Sequence, residues 1–113
     1  MKFVFCLKNT VEEIAGFVNF TQIFRGPFQA CYLGYGIDKG LQGQGYMTEA
    51  LEHLIKYMFN EHGIHRIMAN YMPDNTASGR VLKKLGFVEE GIARKYLRIN
   101  NVWEDHILTS LTN

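Results

Sequence analysis

Between two apolar, strand-like runs, residues 30–38 (ACYLGYGID) and 65–72 (HRIMANYM), the sequence carries a single helical stripe. Met47, Ala50, Leu51, Leu54, Ile55 and Met58 recur at i, i+3, i+4, i+7, i+8 and i+11, the spacing that gathers side chains on one helix face. Thr48, Glu49, Glu52, His53, Lys56 and Asn60 fill the opposite side. A strand, an amphipathic helix and a second strand form a crossover unit, and such a connection joins parallel strands, almost always with right-handed geometry. A chain built around that unit has few folds open to it.

The flanking segments narrow the choice. Residues 2–7 and 14–21 read as strands separated by a polar break at residues 8–13, and Gly26-Pro27 marks a turn before residue 30. Gly63 is placed to end the helix, and Pro73 to end the strand that follows. Asp74 or Asn75 can cap a second helix, with Ala77, Val81 and Leu85 on its inner stripe and Gly86 beyond its end. Residues 87–99, irregular near Gly91, and 102–111 close the chain as strands, and Asn100-Asn101 between them suits a two-residue hairpin turn. The order is β-β-β-α-β-α-β-β, an α/β fold with a mixed sheet. At 113 residues it is one domain.

Composition excludes several partners. Twelve basic residues against eleven acidic ones leave a net charge of +1, which gives no support for a nucleic-acid groove or an anionic membrane surface. The opening MKFVFCLKN has too short an apolar run for a secretory signal, and no stretch approaches the length of a membrane span. Cys6 and Cys31 sit in apolar runs, where a free thiol behaves as a small hydrophobe. A cytoplasmic protein without disulfides or metal is expected.

The chemistry concentrates in GLQGQGYM, at the mouth of the first helix. A tight turn accounts for one glycine. A helix N-terminus also offers unpaired N–H groups and the positive end of the helix dipole, and Gly43 and Gly45 let an anion approach that backbone with no Cβ in the way. Gln42 and Gln44 add side-chain amide donors. Gly34 and Gly36, two apart, lie on one face of the preceding strand and make a strip of bare backbone. An extended ligand can run along that strip and end with its phosphates at the helix mouth; a bulge or close packing explains the same pair.

Here the sequence resembles a known family. Gln42-x-x-Gly45, after a strand and before a helix, resembles the acetyl-CoA signature of the GNAT N-acetyltransferases. Asn75-x-x-Ser78, running to Lys83-Lys84-Leu85-Gly86-Phe87, resembles the next motif of that superfamily. ACYLGYGI, HRIMANYMPDN and WEDHILTSLT are similar to the RimJ-type ribosomal-protein alanine N-acetyltransferases, along nearly the whole chain and most strongly from Arg25 onward.

The resemblance implies a role for each matching residue. Backbone amides of Gln42, Gly43, Gln44, Gly45, Tyr46 and Met47 hold the pyrophosphate of coenzyme A, with Met47 standing where relatives carry Gly or Ala. The pantetheine arm lies along the strand from Gly34 through Tyr35 and Gly36 to Ile37, and a backbone N–H near Tyr35–Ile37 is also a candidate for the oxyanion. Asn75 contacts the arm, caps the helix, or does both. Ser78 hydrogen-bonds the departing thiolate, a task that many relatives give to a tyrosine at the position of Leu82, which cannot perform it. Lys83, with Lys84 and Arg80 nearby, either meets the 3′-phosphate or is simply an exposed cation.

His65, His106, Glu49 and Asp105 are ionisable, and no motif marks any of them as the base. His106 alternates with its neighbours on the last strand and reads as solvent-facing; Trp103 and Tyr96 read as core or acceptor wall. The implied co-substrate is acetyl-CoA and the implied acceptor a protein N-terminal amine, as on a ribosomal protein. Two competing readings are a coenzyme-binding fragment with impaired catalysis and an acetyltransferase for small amines. The family's opening strand and two helices have no counterpart in the sequence, so the chain resembles an N-terminally truncated form. Its uncovered apolar face is expected to drive homo-oligomerisation.

Overall fold

The computed structural model describes residues 1–6 and 14–113, and the expected polar break at residues 8–13 lies outside them. Strands β1 (Lys2–Phe5), β2 (Gly16–Phe24) and β3 (Ala30–Ile37) lead into helix α1 (Tyr46–Glu61) through a short 3-10 turn (Lys39–Leu41). Strand β4 (Arg66–Tyr71), helix α2 (Thr76–Lys84) and strands β5 (Val88–Ile99) and β6 (Val102–Thr112) complete the chain. They form one six-stranded sheet in the order β1-β2-β3-β4-β6-β5. Among the described residues only β3 and β4 pair in parallel, as the crossover requires; the other pairings are antiparallel. The α/β order read from the sequence is therefore the one observed.

Local chemistry explains the boundaries. Gly63 adopts φ +64° after α1, and the Ile64 N–H returns to the Met58 carbonyl at 3.2 Å. Asn100 and Asn101 both take positive φ, 49° and 66°, as the tight β5–β6 hairpin demands. Strand β5 is irregular at Glu89/Gly91, as expected, and again at Ala93/Leu97, where Lys95 has φ 46° and its N–H donates to Asp105 Oδ1.

Both helices face the same side of the sheet. Val18 and Phe20 of β2, Cys31 and Leu33 of β3, and Ile67 and Ala69 of β4 meet Met47, Leu51, Ile55 and Met58 of α1 in one buried cluster. Each of those four α1 side chains contributes roughly 1.5–3 kcal/mol by leaving water, so the stripe read from the sequence holds the helix on the sheet. Helix α2 departs from its expected stripe. Leu82 is its buried residue, Val81 and Leu85 are half-buried, and Ala77 is exposed. Ala77 lies five residues before Leu82, about 140° around the helix, so the rotation that buries Leu82 turns Ala77 outward.

The opposite side of the sheet carries no helix among the described residues. Phe17 and Val88 are exposed there, and Tyr32, Met68 and Leu108 half-buried. His106 is on this face as well, but it is only 5% exposed. The solvent-facing reading is corrected: the irregular stretch of β5 brings the Tyr96 ring to 5.7 Å from the imidazole and shields it. Trp103, 57% exposed, is not a core residue.

Candidate active site

In an open α/β sheet the natural binding crevice lies beyond the carboxyl ends of parallel strands. Here β3 and β4 are that pair, and they separate. Their pairing stops at Tyr32↔Met68, so β3 from Leu33 to Ile37 has no partner on its β4 side. The Asp38 N–H bonds the Ala15 carbonyl at 2.8 Å, and this sets the alternation of the antiparallel β2–β3 ladder. Gly34 and Gly36 turn their backbone groups toward β2, while those of Leu33, Tyr35 and Ile37 point into the gap.

A cavity of about 600 Å³ opens at this place, between the carboxyl end of β3 and the N-terminal ends of α1 and α2. Tyr35, Gly36, Ile37, Gln42, Gly43, Gly45, Tyr46, Met47, Asn75 and Ser78 all line it, so most of the residues singled out from the sequence converge. None of its lining residues is acidic, and Arg80 and Lys84 add two cations. Two helix N-termini and two basic side chains around one cavity give it the polarity that favours an anion.

The glycine turn has the form an anion needs. Gly43 and Gly45 take φ +78° and +81°, and nothing stands within 4 Å of where a Cβ would project from either. Gly45 is the N-cap of α1, and no side chain caps that helix, so its first-turn N–H groups remain available to a ligand. Gln44 differs from expectation: its amide donates to the Gly40 carbonyl at 3.2 Å, and the residue does not line the cavity. Gln42 does.

The bare strip on β3 is only half open. Gly34 has nothing within 4 Å of its missing Cβ, but the Phe17 ring lies over Gly36, 2.6 Å from that point. The two are cross-strand partners, and an aromatic ring settles over the glycine opposite it. Both glycines face away from the helices, because Tyr35 between them reaches α2.

On α2, Ala77, Arg80, Val81 and Lys84 follow i, i+3, i+4, i+7 and present one face to the cavity. Lys83 is one position out of phase and stands outside the cavity lining. Asn75 is the N-cap: its Oδ1 accepts the Ser78 N–H at 3.2 Å, which leaves the amide nitrogen for a ligand. Ser78 Oγ lies 2.6 Å from the Tyr35 hydroxyl. Burial pushes the Tyr35 phenol above its ordinary range, with the Ser78 hydrogen bond acting against it. The sequence reading missed this side-chain pair, since the partners are 43 residues apart. It also missed Gly79, where a Cβ would come within 2.9 Å of the Tyr71 hydroxyl. Among the described residues no cluster of His, Cys, Asp or Glu is arranged to hold a metal ion.

Comparison with known proteins agrees with this geometry. A family model described as an acetyltransferase (GNAT) domain matches residues 1–88. The chain is 54% identical over 101 residues to the ribosomal protein uS5-alanine N-acetyltransferase of Escherichia coli, covering 89% of this chain and 52% of that protein. It superposes on the ribosomal-protein-S5-alanine acetyltransferase of Vibrio fischeri with TM-score 0.91 and 48% identity, over 95% of this chain and 58% of the other. Mycobacterium smegmatis RimJ, solved in complex with CoA-disulfide, superposes with TM-score 0.85 and 33% identity, over 88% and 48%. The chain thus spans about half the length of the curated relatives it matches. With the family model over most of its length and these relatives beside the glycine turn and the splayed strand pair, the chain belongs to the GNAT acetyltransferases.

Proposed function

We propose that this chain binds acetyl-CoA in the cavity and transfers the acetyl group to the N-terminal amine of a protein, with a ribosomal-protein alanine as the first candidate. One observation carries the reading: the uncapped, glycine-lined mouth of α1 opens into the same cavity as the Tyr35–Ser78 pair. A pyrophosphate receptor and a hydrogen-bond donor for a leaving group thus share one space. The identity to the E. coli uS5-alanine enzyme supports the choice of acceptor.

The chain's residues suit the coenzyme. Backbone N–H groups from Gly43 to Met47 would hold its pyrophosphate, and Arg80 and Lys84 are the cations available to a further phosphate. The Asn75 amide and the unpaired edge of β3 would hold the extended arm as a strand would be held. When bound, the coenzyme supplies an acetyl thioester and a thiol leaving group. The N–H groups of Tyr35 and Ile37, directed into the gap, are placed to stabilise an oxyanion. Of the hydroxyl residues lining the cavity, Ser78 is the one in the Asn75-x-x-Ser78 motif, and its Oγ would hydrogen-bond a departing thiolate. Lys83 carries no part in this reading.

Self-association belongs to the same proposal, supported by the exposed Phe17 and Val88 on the helix-free face. Sedimentation equilibrium at two concentrations tests it.

The function is tested by incubating the chain with acetyl-CoA and peptides beginning Ala, Ser or Thr, beside small amines, with mass spectrometry as readout and coenzyme binding measured separately by calorimetry. Acetylated peptide N-termini are expected. Transfer to small amines alone would replace the acceptor. Binding without transfer would reduce the chain to a coenzyme-binding domain, and no binding would overturn the reading.

A further inference from the structure

A serine hydroxyl is a weak acid, and on its own it gives a departing thiolate little more than a hydrogen bond. The surroundings of Ser78 change that. Its Oγ has one protein partner among the described residues, the Tyr35 hydroxyl at 2.6 Å. Tyr35 has a second, much longer contact to the Ser78 carbonyl oxygen at 3.4 Å. Either hydroxyl can donate across that distance; a phenol is a far stronger acid than an alkyl alcohol, which favours Tyr35 O–H as donor and Ser78 Oγ as acceptor. That polarity leaves the serine proton unclaimed by the protein, on a side chain that lines the cavity.

We propose that Tyr35 is a positioning residue for the leaving group: it donates to Ser78 Oγ and so turns the Ser78 O–H outward and makes it a better donor to the thiolate sulfur. This rests on the function proposed above. As the amine lone pair forms the new C–N bond, the C–S bond breaks and its electron pair stays on sulfur. Sulfur takes the Ser78 proton, Ser78 takes the Tyr35 proton, and solvent returns one to Tyr35. The amine gives one proton to solvent, so the exchange balances. Burial keeps Tyr35 protonated through the neutral range. Tyr71 of β4 acts on it electrostatically, and the ionisable groups of Tyr46 of α1 and of Arg80 and Lys84 of α2 line the same cavity.

The test compares Tyr35→Phe, Ser78→Ala and the double variant, first by calorimetry with coenzyme A. The pKa of the bound coenzyme thiol is then followed from the NMR shift of the methylene beside its sulfur, and kcat and KM are measured where turnover is present. Expected are coenzyme affinities within about threefold of the wild type and a bound-thiol pKa that rises in both single variants. The double variant should be no worse than Ser78→Ala alone, since the two groups act as one unit. Replacing Tyr35 with 3,5-difluorotyrosine, whose phenol ionises near neutrality, should bring an alkaline loss of thiolate stabilisation into the measurable range. A purely structural tie between β3 and α2 predicts otherwise: additive losses, affinity falling with every variant, or no new alkaline limb. Any of these would overturn the relay while leaving coenzyme binding standing. If wild-type chain binds no coenzyme, the functional reading fails and the relay fails with it.

Discussion

Gly45→Ala separates the two jobs assigned to the glycine turn, backbone conformation and ligand access. Gly45 sits at φ +81° as the N-cap of α1, and an added Cβ would meet nothing within 4 Å. The cost to the free protein is therefore conformational alone, about 1–2 kcal/mol for an L-residue held in the left-handed region. For a domain of this size each kcal/mol lowers Tm by about 4 °C, so a loss of about 4–8 °C is expected. Gly40→Ala is the control: its φ is not in that region, and its Cβ would make only an ordinary 3.6 Å contact with Asp38 Oδ1. That variant should stay within about 0.5 kcal/mol of the parent. Thermal unfolding followed by circular dichroism reads the first effect.

The second is read by repeating the melts with coenzyme A. At about 100 times Kd the wild type should gain about 2.7 kcal/mol, and Gly45→Ala should gain distinctly less because its methyl stands where the anion approaches. If Gly45→Ala and Gly40→Ala melt together and respond equally to coenzyme, both the strained cap and the anion cradle are wrong. Gly45→Val is a poorer probe. A β-branched residue at this φ disturbs the helix mouth itself, so lost binding would not report on access.

Other perturbations check separate parts of the structure. Leu82→Ala, at the one fully buried position of α2, should cost about 2–5 kcal/mol in a denaturant titration; a cost under 1 kcal/mol would return the buried stripe to Ala77, Val81 and Leu85. Lys84→Ala should weaken coenzyme A binding about three- to tenfold and Lys83→Ala less than twofold, since only Lys84 lines the cavity. The difference should vanish with dephospho-coenzyme A, and equal effects would undo the assignment. Burial raises the Cys31 thiol to about 11, so at pH 8 iodoacetamide should label exposed Cys6 and spare Cys31 until the chain unfolds. The sign for stability follows: this contribution is full below the ordinary value of 9.0 and is lost as pH rises toward 11. Labelling of both thiols at equal rates in the folded protein would contradict the burial.

Much of the fold was legible because it is written in local chemistry. The α1 stripe, the glycine stop at Gly63, the Asn100-Asn101 hairpin and the Asn75 cap depend on residues a few positions apart, and their spacing alone implies them. The glycine turn and the Asn75-x-x-Ser78 segment announced the cavity in the same way, since each opens a helix that follows a strand.

What stayed hidden depended on distant partners. Nothing in LGYGI tells that Phe17 covers Gly36, because the register of β2 on β3 decides it. His106 looks exposed until the β5 irregularity brings Tyr96 over it. That Lys84 and Arg80 line the cavity and Lys83 does not turns on the rotation of α2 about its axis, which the burial of Leu82 sets. Tyr35 and Ser78, 43 residues apart, meet only because one element packs on the other. Local spacing implies which elements form and where a helix mouth is left bare; packing across the sheet settles which side chains meet there. Helix and turn preferences act over a few bonds, whereas helix rotation and strand register are settled by burial of the whole apolar face at once.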